Sequence, residues 1–285
     1  MKVPKASPVK LLHKEISRWD VHTFPWWLAG IFLIILWMAY TIYTRDSYRE
    51  AFEFILVGIW ITLFTTLVSY AAALVFGLLA GLGRLSSNTI IRNLAILYIE
   101  LVRGIPMLVL IFYIALVGVP GVVDGVNSAG RWLTENGIGF VGQLLTSYQN
   151  QDVPMNLRAI IALSVTYGAF LAEIFRAGIQ SVGVEQMEAA RSLGMSYFQA
   201  MRYIVLPQAI RNILPALGND FVAMLKDSSL VSVLAVRDIT QVARLYAGRS
   251  FRFEESYTTL AVLYLTMTIS LSLFVQYIEK RIKKK

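Results

Sequence analysis

The chain has no cysteine and only two histidines, His13 and His22, both near the N-terminus. Disulfides and thiolate metal sites are therefore excluded, as are histidine-rich metal centres and histidine-based catalysis along the rest of the chain. Charge is also scarce. Of the 285 residues, 15% are charged, against about a quarter in a typical soluble domain. No G-x-x-x-x-G-K-[ST] run occurs, so the loop that cradles nucleotide phosphates in many hydrolases is missing. Apolar residues dominate instead, at 56%, and the mean hydropathy is +0.60. This is the composition of an all-α, multi-pass integral membrane protein. The net charge of +8 would suit nucleic acid, but the charges bracket the apolar runs, which is the pattern of membrane topology. No nucleic-acid partner, cofactor or metal is expected.

A helix needs roughly 20 apolar residues to cross the hydrocarbon core. Six segments qualify: 26–43, 54–82, 94–117, 157–179, 213–236 and 257–278. The third is interrupted by Gly104 and Pro106. The first follows about 25 polar and basic residues, too long a leader for a typical signal peptide, and is expected to be retained. Six crossings place both termini on one side. Lys and Arg number sixteen in the segments on that side and eight on the other. The excess puts both termini in the cytoplasm. The segment 119–156 is then external, Gly-rich and poor in charge, with room for a short amphipathic helix.

One cytoplasmic stretch is unlike its surroundings: EAARSLGMSYFQAMRYIVLP, 188–207. Residues 185–193 are strong helix formers. Gly194 suits a left-handed C-terminal cap, Ser196 an N-cap of a second helix over 197–205, and Pro207 a stop. Phe198, Met201 and Val205 recur on one face of that second helix. The stretch reads as two short helices about a glycine corner. It is too polar for lipid and too small for a domain. A rigid elbow with an apolar knob suits docking into a partner's groove, and an amphipathic helix lying on the inner leaflet is the other reading of the same residues.

Glu188-Ala189-Ala190, three residues, Gly194, nine residues, Ile204, one residue and Leu206-Pro207 match the EAA signature of ABC-importer permeases. The chain resembles the polar-amino-acid branch of that family, of the histidine, glutamine and arginine type. The resemblance extends over about 230 residues. It is carried by GIWITLFTTLVSYAAALVFGLLAGLGRLS (58–86), YIELVRGIPMLVLIFY (98–113), YGAFLAEIFRAGI (167–179) and EAARSLGMSYFQAMRYIVLPQAIRNILPALGNDFVAMLKDSSLVS (188–232).

The resemblance implies a five-helix type I ABC-importer core over 51–285, with a coupling loop at 183–211. The basic segment and extra helix of 1–50 precede that core. It further implies a bacterial plasma-membrane (inner-membrane) location and no chemistry by the chain itself. ATP would be bound and hydrolysed by separate cytoplasmic ATPase subunits. A second permease chain, identical or related, would complete the path, and an external binding protein would deliver the amino acid. Coupling is carried over to Glu188, Ala189, Ala190, Gly194 and Pro207. The alanines permit close approach, Gly194 sets the corner, and Pro207 separates the elbow from the next helix. Glu188 either meets a basic group on the partner or caps its own helix.

Ionisable groups at membrane depth are costly and default to function. Glu173 and Arg176, three apart, can pair, as a structural ion pair or as part of a gate. Glu100 and Arg103 repeat that spacing just before the Gly104/Pro106 break, where a gate and an ordinary kink are equally open. The fifth span is the most polar. Asn219 and Asp220 are expected to line the translocation path, with a structural role as the alternative. Lys226 and Asp227 are expected to partner neighbouring helices. A permease for another small solute is the nearest competing reading. An ion-driven carrier or channel needs no elbow, and a membrane enzyme would need clustered histidines or facing acids.

Overall fold

The computed structural model describes residues 26–283, and every regular element in that range is helical. The basic cluster from Lys2 to Arg18, with His13 and His22, lies outside the described residues. The elements are α1 (Trp26–Thr44), α2 (Asp46–Leu56), α3 (Ile59–Arg84), α4 (Thr89–Gly104) and α5 (Met107–Tyr113). A π-helical turn (Ile114–Gly118) leads into α6 (Val119–Glu135) and α7 (Gly139–Thr146). After α8 (Met155–Gln180) come the elbow helices α9 (Val184–Ser192) and α10 (Tyr197–Ala200). A second π-helical turn (Met201–Val205) continues into α11 (Leu206–Asp227) and a 3₁₀ turn (Ser228–Leu234). Helices α12 (Ile239–Ser250) and α13 (Phe253–Lys283) complete the chain.

Five stretches are long and apolar enough to cross a membrane: Trp26–Thr44, Asp46–Arg84, Met107–Glu135, Met155–Gln180 and Phe253–Ile282. The sixth expected span corresponds to α11 and the 3₁₀ turn after it. With 22 residues, α11 is about 33 Å long at 1.5 Å per residue. Its length suffices for a crossing, but Arg211, Asp220, Lys226 and Asp227 keep it out of the apolar set.

At the centre, α3 packs along α8. Lipid tails are as apolar as leucine, so close packing of small residues replaces the hydrophobic drive between membrane helices. A Cβ on Gly77 would come within 2.6 Å of Leu171 Cβ, and one on Gly81 within 2.8 Å of the Ala172 carbonyl. Helix α11 crosses this pair. Tyr70 of α3 donates to the Leu217 carbonyl at 2.6 Å, and Tyr167 of α8 donates to Asp227 at 2.7 Å. Tyr70, Leu163, Tyr167, Leu171 and Met224 share the buried core.

Two segments depart from the sequence reading. The chain does break after Gly104, with Ile105 extended before Pro106 as a pre-proline residue prefers. The helix that follows does not end near Val117. It continues through the π turn to Glu135 and folds back as α7. A Cβ on Gly130 would lie within 2.8 Å of the Gly142 carbonyl, so this hairpin depends on glycine at the contact. Likewise Pro207 does not stop the second elbow helix. It sits in the first turn of α11, in a run that is helical from Tyr197 to Asp227. In both places the residue before the proline donates its N–H five residues back, Val119 to Ile114 and Leu206 to Met201. The wider turn takes up a residue that has no N–H and would clash in a regular α-helix.

Candidate functional site

The elbow is closed by a complete Schellman motif. Gly194 has φ of +86°. Its N–H donates to the Arg191 carbonyl at 3.0 Å, and the Met195 N–H donates to the Ala190 carbonyl at 3.2 Å. Ser196 then opens the second helix with a capping box: its hydroxyl accepts from the Gln199 N–H while the Gln199 side chain accepts from the Ser196 N–H. Both cap residues expected from the sequence are in place. They fix the angle of the corner by hydrogen bonds internal to the elbow.

What the elbow exposes is apolar. Leu193 at the corner is 82% exposed, Phe198 70% and Tyr197 60%. Ala190 and Ala200 are buried, where α9 packs against α10 and the π turn that follows it, while Ala189 is exposed. The expected stripe of Phe198, Met201 and Val205 is divided, because the π turn shifts the helical register. Val205 is buried and Phe198 exposed. Glu188 is exposed and has no hydrogen bond or ion pair among the described residues. It is not capping α9, whose N-cap is Gly183 and whose first-turn acid is Glu185.

The two expected ion pairs merge into one cluster around Glu173, whose side chain is 18% exposed. Arg176 donates through Nη2 at 2.8 Å and Nε at 3.0 Å to Oε2. Arg84 from α3 pairs with Oε1, and Arg103 from α4 stands 4.0 Å from that oxygen. Arg103 also lies over the Phe170 ring, 5.7 Å from its centroid. Glu100, by contrast, is exposed and does not pair with Arg103. The half-buried carboxylate of Glu173 draws the arginines from three helices, and one acid ties α3, α4 and α8 at the end of the bundle nearest the elbow.

On α11, Asn219 is exposed and Asp220 half-buried. They are adjacent and so about 100° apart around the helix. Asp220 shares a face with Asp227, seven residues on. Asp227 is engaged by the Tyr167 hydroxyl, as a neighbouring-helix partner. Lys226 is exposed and has no such partner among the described residues. One structural residue escaped the sequence reading. Arg158, only 8% exposed, donates to the carbonyls of Val153 at 3.0 Å and Ala115 at 3.1 Å, and also to that of Asn150. It clamps the start of α8 to the first π turn. In the sequence it is a lone arginine at the head of an apolar run.

The family described as "Binding-protein-dependent transport system inner membrane component" matches residues 73–284. The chain belongs to this family. It is a multi-pass permease component of the inner membrane, and its elbow, cap residues and the break between α4 and α5 lie within the matched range. Among its relatives is the probable glutamine ABC transporter permease protein GlnM of Bacillus subtilis, 34% identical over 82% of this chain and 96% of that protein. Another is the glutamine transport system permease protein GlnP of Escherichia coli K12, 29% identical over 82% of this chain and 94% of that protein. A crystal structure of an amino acid ABC transporter with histidines aligns at TM-score 0.65 and 35% identity, covering 80% of this chain and 94% of that one. The MetNI methionine ABC transporter in an inward-facing form shares the fold at TM-score 0.58 and 19% identity.

Proposed function

We propose that this chain is the membrane subunit of an ATP-driven importer for a polar amino acid, with six crossings and both termini in the cytoplasm. The named relatives support the amino-acid assignment, and the excess of Lys and Arg supports the orientation. Energy reaches the chain from separate ATPase subunits through the elbow at 183–211. A second permease chain completes the path, and an external binding protein loads it. The observation that carries this reading is the elbow itself. It is a corner locked by its own hydrogen bonds that projects Leu193, Tyr197 and Phe198 and an unpaired Glu188 away from the bundle. An apolar tip held rigid loses little entropy on docking, and a rigid arm transmits displacement to α11 through the continuous helix.

In this reading Glu188 meets a basic group on the ATPase, and Ala189 gives the partner close access. The Glu173 cluster holds the inner ends of α3, α4 and α8 together as the elbow moves. Asn219 and Asp220 line the path where the ammonium and polar groups of the amino acid pass. Gentle purification from the native membrane tests the coupling. An ATP-binding subunit is expected with the wild type and is lost with Gly194→Pro. Absence of any ATPase from an intact wild-type preparation would overturn the reading. For the path, uptake by Asn219→Ala and Asp220→Ala at matched membrane levels is expected to fall or change preference. Unchanged uptake in both variants would remove these residues from the path.

A further inference from the structure

Glu173 does not use all of the positive charge gathered around it. Arg176 is fully engaged. Its Nε and Nη2 donate to Glu173 and its Nη1 to Gln180. The other two arginines are not. The Arg84 side chain donates to Glu173 through Nη1 and to nothing else among the described residues, which leaves most of its five-donor fork open. Arg103 comes only to 4.0 Å from the same oxygen, beyond hydrogen-bonding range. Its guanidinium donates to nothing among the described residues. Neither side chain is closed off, since Arg84 is 24% exposed and Arg103 43%. A ligand can therefore reach their open donors.

The arrangement suits an anion. Arg84 comes from α3 and Arg103 from α4, yet both point to Oε1 of Glu173. Their Nη1 atoms are thus no more than about 7 Å apart, within the span of one oxyanion with a hydrogen bond of about 2.8 Å on either side. The Phe170 ring lies under the Arg103 guanidinium, 5.7 Å from its centroid, and steadies the fork before a ligand arrives. The charge is also unbalanced. Counting Glu100, exposed three residues before Arg103, three positive groups stand against two negative ones. Like charges this close and partly withdrawn from water repel, and a bound anion relieves them. The cluster lies at the end of the bundle nearest the elbow, the side that the Lys and Arg excess places in the cytoplasm. Basic pockets between membrane helices on that side meet phosphate groups. We infer that Arg84 and Arg103 form a binding site for a phosphate group, each fork donating to its oxygens. The bound phosphate bridges α3 to α4 just before the break at Gly104 and Pro106. A phospholipid headgroup and free phosphate present this same chemistry.

Thermal melting of the delipidated full chain in dodecyl maltoside tests this. One series titrates sodium phosphate, with sodium chloride at equal ionic strength as the blank. The other titrates phosphatidylglycerol, with diacylglycerol as the blank. Wild type is expected to gain melting temperature with at least one probe, in proportion to site occupancy. A gain with the lipid alone identifies a headgroup, a gain with the salt alone the free ion, and a gain with both shows that the phosphate group suffices. Arg103→Gln removes one fork without breaking a hydrogen bond among the described residues, and should weaken binding about tenfold or more. Arg103→Lys keeps the charge but not the fork and should fall in between. It carries the comparison if Arg103→Gln does not fold. Arg92→Gln, at the exposed start of α4, should bind as wild type does. No gain by wild type with either probe, wild-type binding by both Arg103 variants, or an equal loss in Arg92→Gln would overturn the inference.

Discussion

Substitution of Gly194 separates backbone conformation from packing with unusual clarity. Its φ is +86°, and a Cβ built there would find nothing within 4 Å. Gly194→Ala therefore introduces no clash, and its whole effect is the strain of holding an L-residue left-handed, about 1–2 kcal/mol. The elbow would leave its docking angle with a change of about 5- to 30-fold in the equilibrium. Asn visits the left-handed region more readily than Ala, so Gly194→Asn should lose less. A β-branched valine should lose more. Gly194→Pro cannot form the corner at all, because proline is held near −65° and lacks the N–H that donates to Arg191 at 3.0 Å. Coupling, read as amino-acid-stimulated ATPase activity at matched membrane levels, should fall in the order Gly, Asn, Ala, Val, Pro. Overall thermal stability should change little, since the corner is exposed. Full coupling by the valine and proline variants would refute the claim that this corner transmits the stroke.

Three other perturbations have defined outcomes. Glu173→Gln leaves three arginines around a neutral group. The loss should lie between the about 0–1 kcal/mol of exposed pairs and the about 3–5 kcal/mol of a broken buried pair, visible as a lower melting temperature, while Glu100→Gln should match wild type. Gly77→Ala drives a methyl to within 2.6 Å of Leu171 and 3.1 Å of the Gly168 carbonyl. It should destabilise by about 1–3 kcal/mol, whereas Gly104→Ala, with open space around it, should not. The third concerns Asp238, which lies beyond α11 and caps α12, its Oδ1 accepting from the Gln241 N–H at 2.9 Å. Burial raises its pKa from 3.8 to about 6, partly offset by bonds from the Gln241 and Thr240 backbone. Below about pH 4 the group is neutral in both states. Between about 4 and 6 the unfolded chain has released the proton that the folded chain keeps, so stability falls as pH rises, by about 3 kcal/mol in total. Asp238→Asn keeps the cap and should remove that component from melting curves taken across the window. Parallel curves for the two proteins would refute it.

What the sequence disclosed tracks how local each determinant is. The Gly194 and Ser196 caps depend on neighbours within five residues and were legible from residue type. The break at Gly104 and Pro106 was equally local. The Glu173 cluster was not, because pairing at spacing three could be read on each helix alone, while the approach of α3 and α4 to α8 could not. Arg103 chose between a neighbour three residues away and a better-buried acid on another helix, and the tertiary partner prevailed. Arg158 was missed for the same reason, since its acceptors are main-chain carbonyls that exist as a group only once the π turn and the start of α8 meet. The polar span α11 was legible as the apolar stretch 213–236, although the charges at Arg211, Asp220, Lys226 and Asp227 keep the helix itself out of the strongly apolar set.

The prolines at 120 and 207 carry the most instructive departure. A proline within a helical pattern ordinarily ends the helix, since it offers no N–H and clashes with the carbonyl four residues earlier. Here one extra residue per turn relieves both faults. The insertion is visible in burial: Ala200, Val205, Ala209 and Ile213 are buried, a spacing of five followed by fours. Were the helix regular, 200 and 204 would align and Val205 would turn about 100° away. It is therefore packing of Ala200 and Val205 that holds the π register, and the proline that exploits it. Deleting the exposed Tyr203 should restore a spacing of four from Ala200 onward but force Pro207 into a regular α-helix, at a cost of about 3 kcal/mol, and uptake should collapse. Pro207→Ala in the deletion background removes that cost and should restore uptake. Pro207→Ala without the deletion should remain near wild type, because the buried residues still set the register. A deletion that the second substitution does not rescue would mean that the π turn itself, as a hinge between elbow and α11, is what transport requires.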